Sequence, residues 1–145
     1  MIYKYTVKKT FHIGMSHILE DAYTKKCCNL HGHTYTIEIE LGGEVLNKDG
    51  MLMDYTYIKE VFKRKIESTF DHATMVPPKW HERFKDIPGV VNVQFNPTAE
   101  NISEFFFNLL EEELTVDNCE LISVSVKETD TNFACYKPYW LNGMC

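Results

Sequence analysis

A strict alternation of polar and apolar residues runs through residues 34–41, directly after His31-Gly32-His33. A period of two predicts a β-strand with one buried face. His33 has the parity of the apolar positions, so it is predicted to face the core. Two histidines at i and i+2 lie on one face of a strand, about 6.6 Å apart, which lets both imidazoles reach one zinc ion. An isolated HGH is more often a surface turn, but the alternation favours a metal site at the mouth of a strand.

The length and charge of the chain restrict the kinds of protein it can be. The 145 residues are predicted to form a single domain, 1–145. No run approaches the about 18 apolar residues of a membrane span, and the first residues are not typical of a signal peptide, which predicts a cytoplasmic protein without a membrane partner. The net charge of −6 argues against nucleic acid as a partner. Five cysteines without paired spacing favour a reducing compartment.

The order of predicted elements is strand, strand, helix, helix, strand, strand. Besides the strand after His33, the patterns predict a first strand ending near His17, a helix capped by Asp54, a helix capped by Thr98, strands over 122–126 and 133–136, and a long loop over 73–95. This order predicts an α+β fold, with a four-stranded antiparallel sheet and two helices on one face. Such a sheet leaves two open edges, which must be covered or paired between subunits.

His17 joins the two histidines of the HGH sequence as a third candidate metal ligand. Three protein nitrogens leave one position open, which is the arrangement of a catalytic zinc site. A structural zinc site would need a fourth protein ligand, and Cys27 or Cys28 is the alternative that would supply it. The sequence leaves both arrangements open.

Cys27 follows two lysines, whose charges are expected to lower the pKa of its thiol and favour the reactive thiolate. The other four cysteines are interpreted as small buried residues without a chemical role. They are Cys28, Cys119, Cys135 and Cys145.

Two further positions carry side chains suited to acid–base chemistry or recognition. Asp71-His72 follows the first helical pattern, and a carboxylate beside a histidine can fix its tautomer for proton transfer near neutral pH. Glu128 shares the parity of the buried positions of the 122–126 strand, which predicts a carboxylate on the core side. A buried carboxylate is rare unless it is paired or functional. Its partner is either a lysine or a ligand with amidine-like N–H donors.

Six motifs lie in the same order as in a known family, over nearly the whole chain. They are Ser16-His17-Ile18-Leu19, Lys26-Cys27-Cys28-Asn29-Leu30-His31-Gly32-His33, Met53-Asp54-Tyr55, Phe70-Asp71-His72, Asn96-Pro97-Thr98-Ala99-Glu100-Asn101 and Val126-Lys127-Glu128-Thr129. Together they resemble the 6-pyruvoyl-tetrahydropterin synthase and 6-carboxy-tetrahydropterin synthase family. The resemblance implies the tunnelling fold (T-fold), in which the sheets of several subunits join into a barrel. It also implies a homohexamer, a dimer of trimers, with active sites at subunit boundaries.

The resemblance also implies roles for single residues. His17, His31 and His33 take the role of zinc ligands, and Cys27 takes the role of the residue that abstracts a proton. Asp71 and His72 take the role of a proton relay. Glu128 and Thr129 take the role of pterin-binding residues. The resemblance also places Glu128 among the catalytic residues.

The implied reaction starts from 7,8-dihydroneopterin triphosphate. The four-residue step from Cys27 to His31 resembles the queuosine-pathway branch, a zinc-dependent lyase that forms 6-carboxy-5,6,7,8-tetrahydropterin and releases acetaldehyde and triphosphate. Residues 128–132 look more like the biopterin branch, whose product is 6-pyruvoyl-tetrahydropterin. An alternative from another class is a zinc- or pterin-binding protein without catalysis.

Overall fold

The computed structural model of the chain describes residues 3–139, which form one mixed β-sheet with helices on its apolar face. The strands are β1 (Tyr5–His17), β2 (His31–Gly43), β3 (Thr74–Val76), β4 (Val90–Asn92), β5 (Glu120–Lys127) and β6 (Phe133–Tyr136). Their order in the sheet is β4-β3-β1-β2-β5-β6. The four predicted strands correspond to β1, β2, β5 and β6.

The helices are α1 (Tyr55–Phe62), α2 (Ser68–Phe70), α3 (His81–Phe84) and α4 (Ala99–Leu114). A π-helical turn, Lys63–Glu67, joins α1 to α2, and two 3₁₀ turns lie at Lys25–Cys28 and Pro78–Trp80. Asp54 accepts a hydrogen bond from the Thr56 amide at 2.7 Å, so this predicted helix cap is confirmed. Among residues 3–139, the helices lack the length and apolar character that a membrane span requires.

The prediction of four antiparallel strands is wrong for the segment 73–95, which was predicted to be a loop. β3 pairs in parallel with β1 at its end, and β4 pairs in parallel with β3, so the sheet is mixed and has six strands. A three-residue strand is too short to show a period in the sequence. The short α3 and a 3₁₀ turn lie in the crossover that a parallel pair requires.

The alternation of β1 and β2 separates an apolar face from a polar face, as predicted. On the apolar face the core side chains of the two strands are fully or almost fully buried, and both long helices pack onto them. This core includes Ile13, Met15, Tyr35, Ile37, Ile39, Ile58, Phe62, Ile102, Phe106 and Leu110. The two strands pair over their whole length, from Tyr5↔Gly43 to His17↔His31. One end of this long pair therefore brings the predicted metal ligands together.

One edge of β1 is open along most of its length. β1 pairs with β3 only at Ser16 and His17, whereas its other side pairs with β2 throughout. Residues 5–15 therefore lack a second neighbouring strand within the described part of the chain. Such an edge must be covered or paired, and its completion by another subunit stays a prediction.

Candidate metal centre and active site

The register of β1 and β2 places the three histidines on one face at one end of the sheet. His17 is paired with His31, and Met15 with His33. One ligand atom from each of the three histidines lies within 4.8 Å of the other two. The ring of His17 is 4.5 Å from that of His31 and 5.3 Å from that of His33, between centroids. The sequence prediction that these three residues meet is confirmed.

Two backbone carbonyls fix the tautomers of His17 and His31. The Nδ1 atom of His17 is 2.7 Å from the Pro97 oxygen, and that of His31 is 2.7 Å from the Asn29 oxygen. A carbonyl only accepts hydrogen bonds, so both Nδ1 atoms must donate, and each neutral ring keeps a lone pair on Nε2. Those two Nε2 atoms lie 3.1 Å apart. Two lone pairs facing each other are unfavourable unless a cation lies between or beside them.

The buried environment favours the neutral form of His17 and His33. His17 is 2% exposed, and this burial lowers the pKa of His17 to about 4. The hydrogen bond to the Pro97 carbonyl acts in the opposite direction but is a smaller effect, and the neighbouring imidazoles lower the pKa further. Burial also lowers the pKa of His33, whose Nε2 atom is buried without a hydrogen-bond partner. Neutral imidazole is the form that binds metals. Three converging imidazole nitrogens, one of them an orphaned buried atom, fit a divalent cation such as zinc.

Glu128 lies beside the three histidines, on the core side that its parity predicts. Lys127 is paired with Thr36, so the next residue, Glu128, comes opposite Tyr35. Its Oε1 atom is 4.0 Å from His17 Nε2, and its side chain is 22% exposed. In the described part of the chain no lysine forms an ion pair with Glu128. A ligand with N–H donors as the partner of Glu128 stays a prediction.

Tyr35 is a residue of this centre that the sequence analysis missed. Its ring stands edge-on to His33, with centroids 5.3 Å apart, and its hydroxyl is buried without a hydrogen-bond partner. Burial, and then the charge of Glu128, raise the pKa of Tyr35 above its usual range. One sequence signal points to Tyr35. It is a tyrosine at the first core position after the histidines, in a strand whose next core residues are isoleucines.

Asn96 and Asn101 hold the segment that carries the Pro97 carbonyl. The Asn96 side chain accepts from the Glu20 amide at 2.9 Å, and the Asn101 side chain donates to the Asn96 carbonyl at 2.9 Å. The sequence of this segment predicts only the start of a helix. A backbone carbonyl acting on a histidine has no sequence signature of its own.

Cys27 and Cys28 lie in the 3₁₀ turn Lys25–Cys28, and both are half-buried. The group of converging ligand atoms contains the three histidines and neither of these two cysteines. Within the described residues, the geometry therefore does not support a zinc site closed by a cysteine. In a 3₁₀ turn successive side chains diverge by about 120°, so the two thiols point in different directions.

The other cysteines differ in their burial. Cys119 is buried, and burial raises the pKa of its thiol to about 11. Cys135 is exposed, so the prediction that it is a buried residue is wrong. Cys145 lies outside the described residues.

Asp71 and His72 form the predicted pair, but at a different place from the histidine centre. His72 Nδ1 is 2.9 Å from Asp71 Oδ2, while Asp71 Oδ1 accepts from the Gly14 amide at 2.9 Å. His72 has a φ of 64°, a left-handed conformation that is uncommon for a histidine, and its side chain is 88% exposed. No hydrogen bond or ion pair between described residues joins this pair to His17. His72 does border a surface depression that His33 also lines.

Thr129 lies in the turn between β5 and β6 and is exposed. Its hydroxyl oxygen accepts from the Asn132 amide at 3.1 Å and from the Thr131 amide at 3.4 Å. The observed role of this hydroxyl is to close the turn after Glu128. A contact of Thr129 with substrate stays a prediction.

The chain is similar to known proteins over most of its length. It is 31% identical to the 6-carboxy-5,6,7,8-tetrahydropterin synthase of Haemophilus influenzae, covering 92% of this chain and 99% of the relative. It is 32% identical to the 6-pyruvoyl tetrahydrobiopterin synthase of Dictyostelium discoideum, covering 77% and 73%. The structure of Caenorhabditis elegans 6-pyruvoyl tetrahydropterin synthase matches with a TM-score of 0.69 and 24% identity, covering 95% and 99%.

That structural match shows a shared T-fold, with the correction that this chain has six strands in a mixed sheet. The family profile described as 6-pyruvoyl tetrahydropterin synthase matches residues 6–138. This range includes all three histidines, Cys27 and Glu128. From the profile match and the relatives together, we conclude that the chain belongs to the 6-pyruvoyl tetrahydropterin synthase family, a family of lyases.

Proposed function

We propose that the protein is a zinc-dependent lyase that converts 7,8-dihydroneopterin triphosphate and water to 6-carboxy-5,6,7,8-tetrahydropterin, acetaldehyde and triphosphate. It would act in queuosine and 7-deazapurine biosynthesis, as a cytoplasmic homohexamer. The observation that carries the proposal is the convergence of three imidazoles beside a carboxylate 4.0 Å from His17 Nε2. The relatives named 6-carboxy-5,6,7,8-tetrahydropterin synthase, from Haemophilus influenzae and Aquifex aeolicus, support this product.

His17, His31 and His33 would hold the zinc ion. When bound, zinc would act as a Lewis acid on side-chain oxygens of the substrate and make the adjacent C–H and O–H groups more acidic. The Pro97 and Asn29 carbonyls keep the rings of His17 and His31 in the orientation and tautomer that leave Nε2 available. The chain therefore supplies a set of ligands that is already organised.

Glu128 would bind the amino-pyrimidine edge of the pterin. That edge presents two parallel N–H donors, the 2-amino group and N3–H, which match the two oxygens of a carboxylate. Glu128 is suited to this because it faces the histidine centre and forms no ion pair with a lysine among the described residues. Thr129 would contact the substrate from the adjoining turn.

Proton transfer would fall to Cys27 and to the Asp71–His72 pair. The Cys27 thiolate would remove a proton from the substrate's side chain. Asp71 would hold the His72 ring by the 2.9 Å contact, and His72 would transfer a second proton. Because no hydrogen bond or ion pair among the described residues joins this pair to its own chain's three histidines, we propose that it serves the histidines of a neighbouring subunit.

The second candidate is the 6-pyruvoyl-tetrahydropterin product, in which the three-carbon side chain stays on the pterin. Two observations favour it: the sequence of residues 128–132 and the 32% identity to the Dictyostelium discoideum enzyme. Both products would use the same ligands and the same carboxylate. The residues of the site alone do not distinguish them, so the product itself must be identified.

The test is to incubate zinc-loaded protein with 7,8-dihydroneopterin triphosphate and to identify the products by mass spectrometry. We expect 6-carboxy-5,6,7,8-tetrahydropterin with an equimolar amount of acetaldehyde, and no turnover after the metal has been removed. A three-carbon product without acetaldehyde would establish the second candidate. Zinc and pterin binding without turnover would indicate a binding protein and contradict both reactions.

A further inference from the structure

The hydroxyl of Tyr35 is a buried donor with no acceptor among the described residues. Tyr35 is 0% exposed and lies on the core face of β2, two residues after His33. Its ring is edge-on to His33 at 5.3 Å and to His17 at 6.0 Å, between centroids. Glu128 comes opposite Tyr35 in the register of β2 and β5. The unpaired hydroxyl therefore belongs to the histidine centre.

Packing does not account for this hydroxyl. The other large aromatic side chains that are fully buried in the core are phenylalanines, namely Phe62, Phe106 and Phe107. Phenylalanine would fill the same space as Tyr35, without the free-energy cost of a buried polar group that lacks a partner. A hydroxyl kept at this cost indicates a partner that arrives from outside the chain.

The protein's own acceptors near Tyr35 are already assigned or out of reach. Glu128 lies opposite in the register, yet it forms no hydrogen bond with the hydroxyl. His33 Nε2 is a second buried atom without a partner, and a metal cation bound by the three histidines would satisfy it. A bound molecule with an oxygen acceptor would satisfy Tyr35 beside a cation that satisfies His33.

We propose that Tyr35 is a further substrate-contacting residue, whose hydroxyl donates a hydrogen bond to an oxygen of the side chain at C6 of the pterin. This inference rests on the proposed function for the identity of the substrate. Glu128 and Tyr35 then recognise different parts of one molecule. The carboxylate binds the pyrimidine edge, and the phenol binds the oxygen-bearing side chain.

The experiment compares two non-reactive ligands on zinc-loaded wild type and Tyr35→Phe. Biopterin has a hydroxylated side chain at C6, whereas unsubstituted pterin has none. We expect the wild type to prefer biopterin, and Tyr35→Phe to lose about tenfold of that preference. The affinity for unsubstituted pterin and the zinc content should not change.

Tyr3→Phe is the matched control, because the Tyr3 hydroxyl has a partner. It donates to Glu120 Oε2 at 2.6 Å, near Gly43 at the opposite end of β2 from His31. Tyr3→Phe should lower the melting temperature of the metal-free protein and leave the ligand preference unchanged. Tyr35→Phe should leave that melting temperature unchanged or raise it, since it removes a polar group that has no partner in the metal-free protein.

Three results would overturn the inference. One is a wild type without a preference for biopterin, and another is a Tyr35→Phe variant that keeps the full preference. The third is an equal loss of both ligands, with lower stability or less zinc, which would make the hydroxyl structural. Failure of the proposed function would give a different pair of results. The zinc-loaded wild type would not turn over 7,8-dihydroneopterin triphosphate, although Tyr35→Phe would still change the preference for biopterin over unsubstituted pterin.

Discussion

At the scale of single residues, the 3.1 Å contact between the Nε2 atoms of His17 and His31 makes metal content the most direct measurement. We predict that His31→Ala loses most of its zinc after equilibration with a competing chelator, because two imidazoles hold the ion far less tightly than three. Zinc is measured by atomic emission.

His12→Ala is the control for that variant. His12 is also on β1, but it faces the polar side, where its Nδ1 is 3.1 Å from Thr36 Oγ1. It should keep the full amount of zinc. Full occupancy in His31→Ala would remove this residue from the metal site.

Glu128→Gln tests whether the carboxylate recognises the pterin. The amide would turn one acceptor into a donor facing a ligand N–H, and an unsatisfied buried donor costs about 1–3 kcal/mol, with every 1.4 kcal/mol equal to about tenfold in affinity. We therefore predict weaker binding of biopterin at unchanged zinc content, measured in parallel titrations.

Two outcomes would contradict that prediction. Equal affinity of both proteins for biopterin would take Glu128 out of the pterin site. Loss of zinc would instead place the carboxylate in the outer shell of the metal, which its 4.0 Å distance from His17 Nε2 makes a direct alternative.

At the scale of elements, the start of α4 supports the metal site through the backbone. Asn101 donates to the carbonyl of Asn96, next to the Pro97 carbonyl that holds His17. We predict that Asn101→Ala lowers zinc affinity by up to about 10–100-fold, the usual effect of losing an outer-shell contact. Chelator competition measures it. Asn108→Ala, an exposed position of the same helix, is the control, and equal affinities of the two variants would contradict the role of Asn101.

The elements that could be predicted from the sequence are those long enough to show a period. β1, β2 and α4 have clear alternation or helical spacing, and the Asp54 cap was also recognised. β3 and β4 have three residues each, so their pairing depends on contacts with β1 that no local pattern encodes. The same limit applies to the site. Parity places Glu128 beside the histidines, whereas the Pro97 carbonyl and the unpaired Tyr35 hydroxyl become visible only in three dimensions.

At the scale of the whole molecule, no hydrogen bond or ion pair among the described residues joins the three histidines to the Asp71–His72 pair, which predicts sharing of sites between subunits. Cys27→Ala and His72→Ala should each be inactive alone. When the two chains are refolded together, some sites combine an intact Cys27 with an intact His72, so we predict that turnover returns.

A mixture of Cys27→Ala and His31→Ala is the matched control. These two residues belong to the same proposed half-site, so mixing should not restore an intact site. Turnover is measured with 7,8-dihydroneopterin triphosphate before and after joint refolding. Continued inactivity of the first mixture, at a confirmed mixed subunit composition, would contradict a site shared between subunits.

The family follows from motifs that are spread along the chain in one order, and the profile match over residues 6–138 agrees with them. The assembly of subunits depends on the surfaces that they present to each other. The structure of a single chain shows only that the β1 edge of the sheet is open. Residues 5–15 of β1 have strand pairing on one side within the described part of the chain. This edge is where we expect a second subunit to continue the sheet.

The carbonyls of Pro97 and Asn29 affect how this site can change during evolution. A side chain that orients a metal ligand can be lost by one base change, but a main-chain oxygen is kept whatever residue is substituted there. The orientation of His17 and His31 is thus protected from most single substitutions at the two positions that set it. Drift can then act on the surrounding side chains while the orientation of these two imidazoles is inherited unchanged.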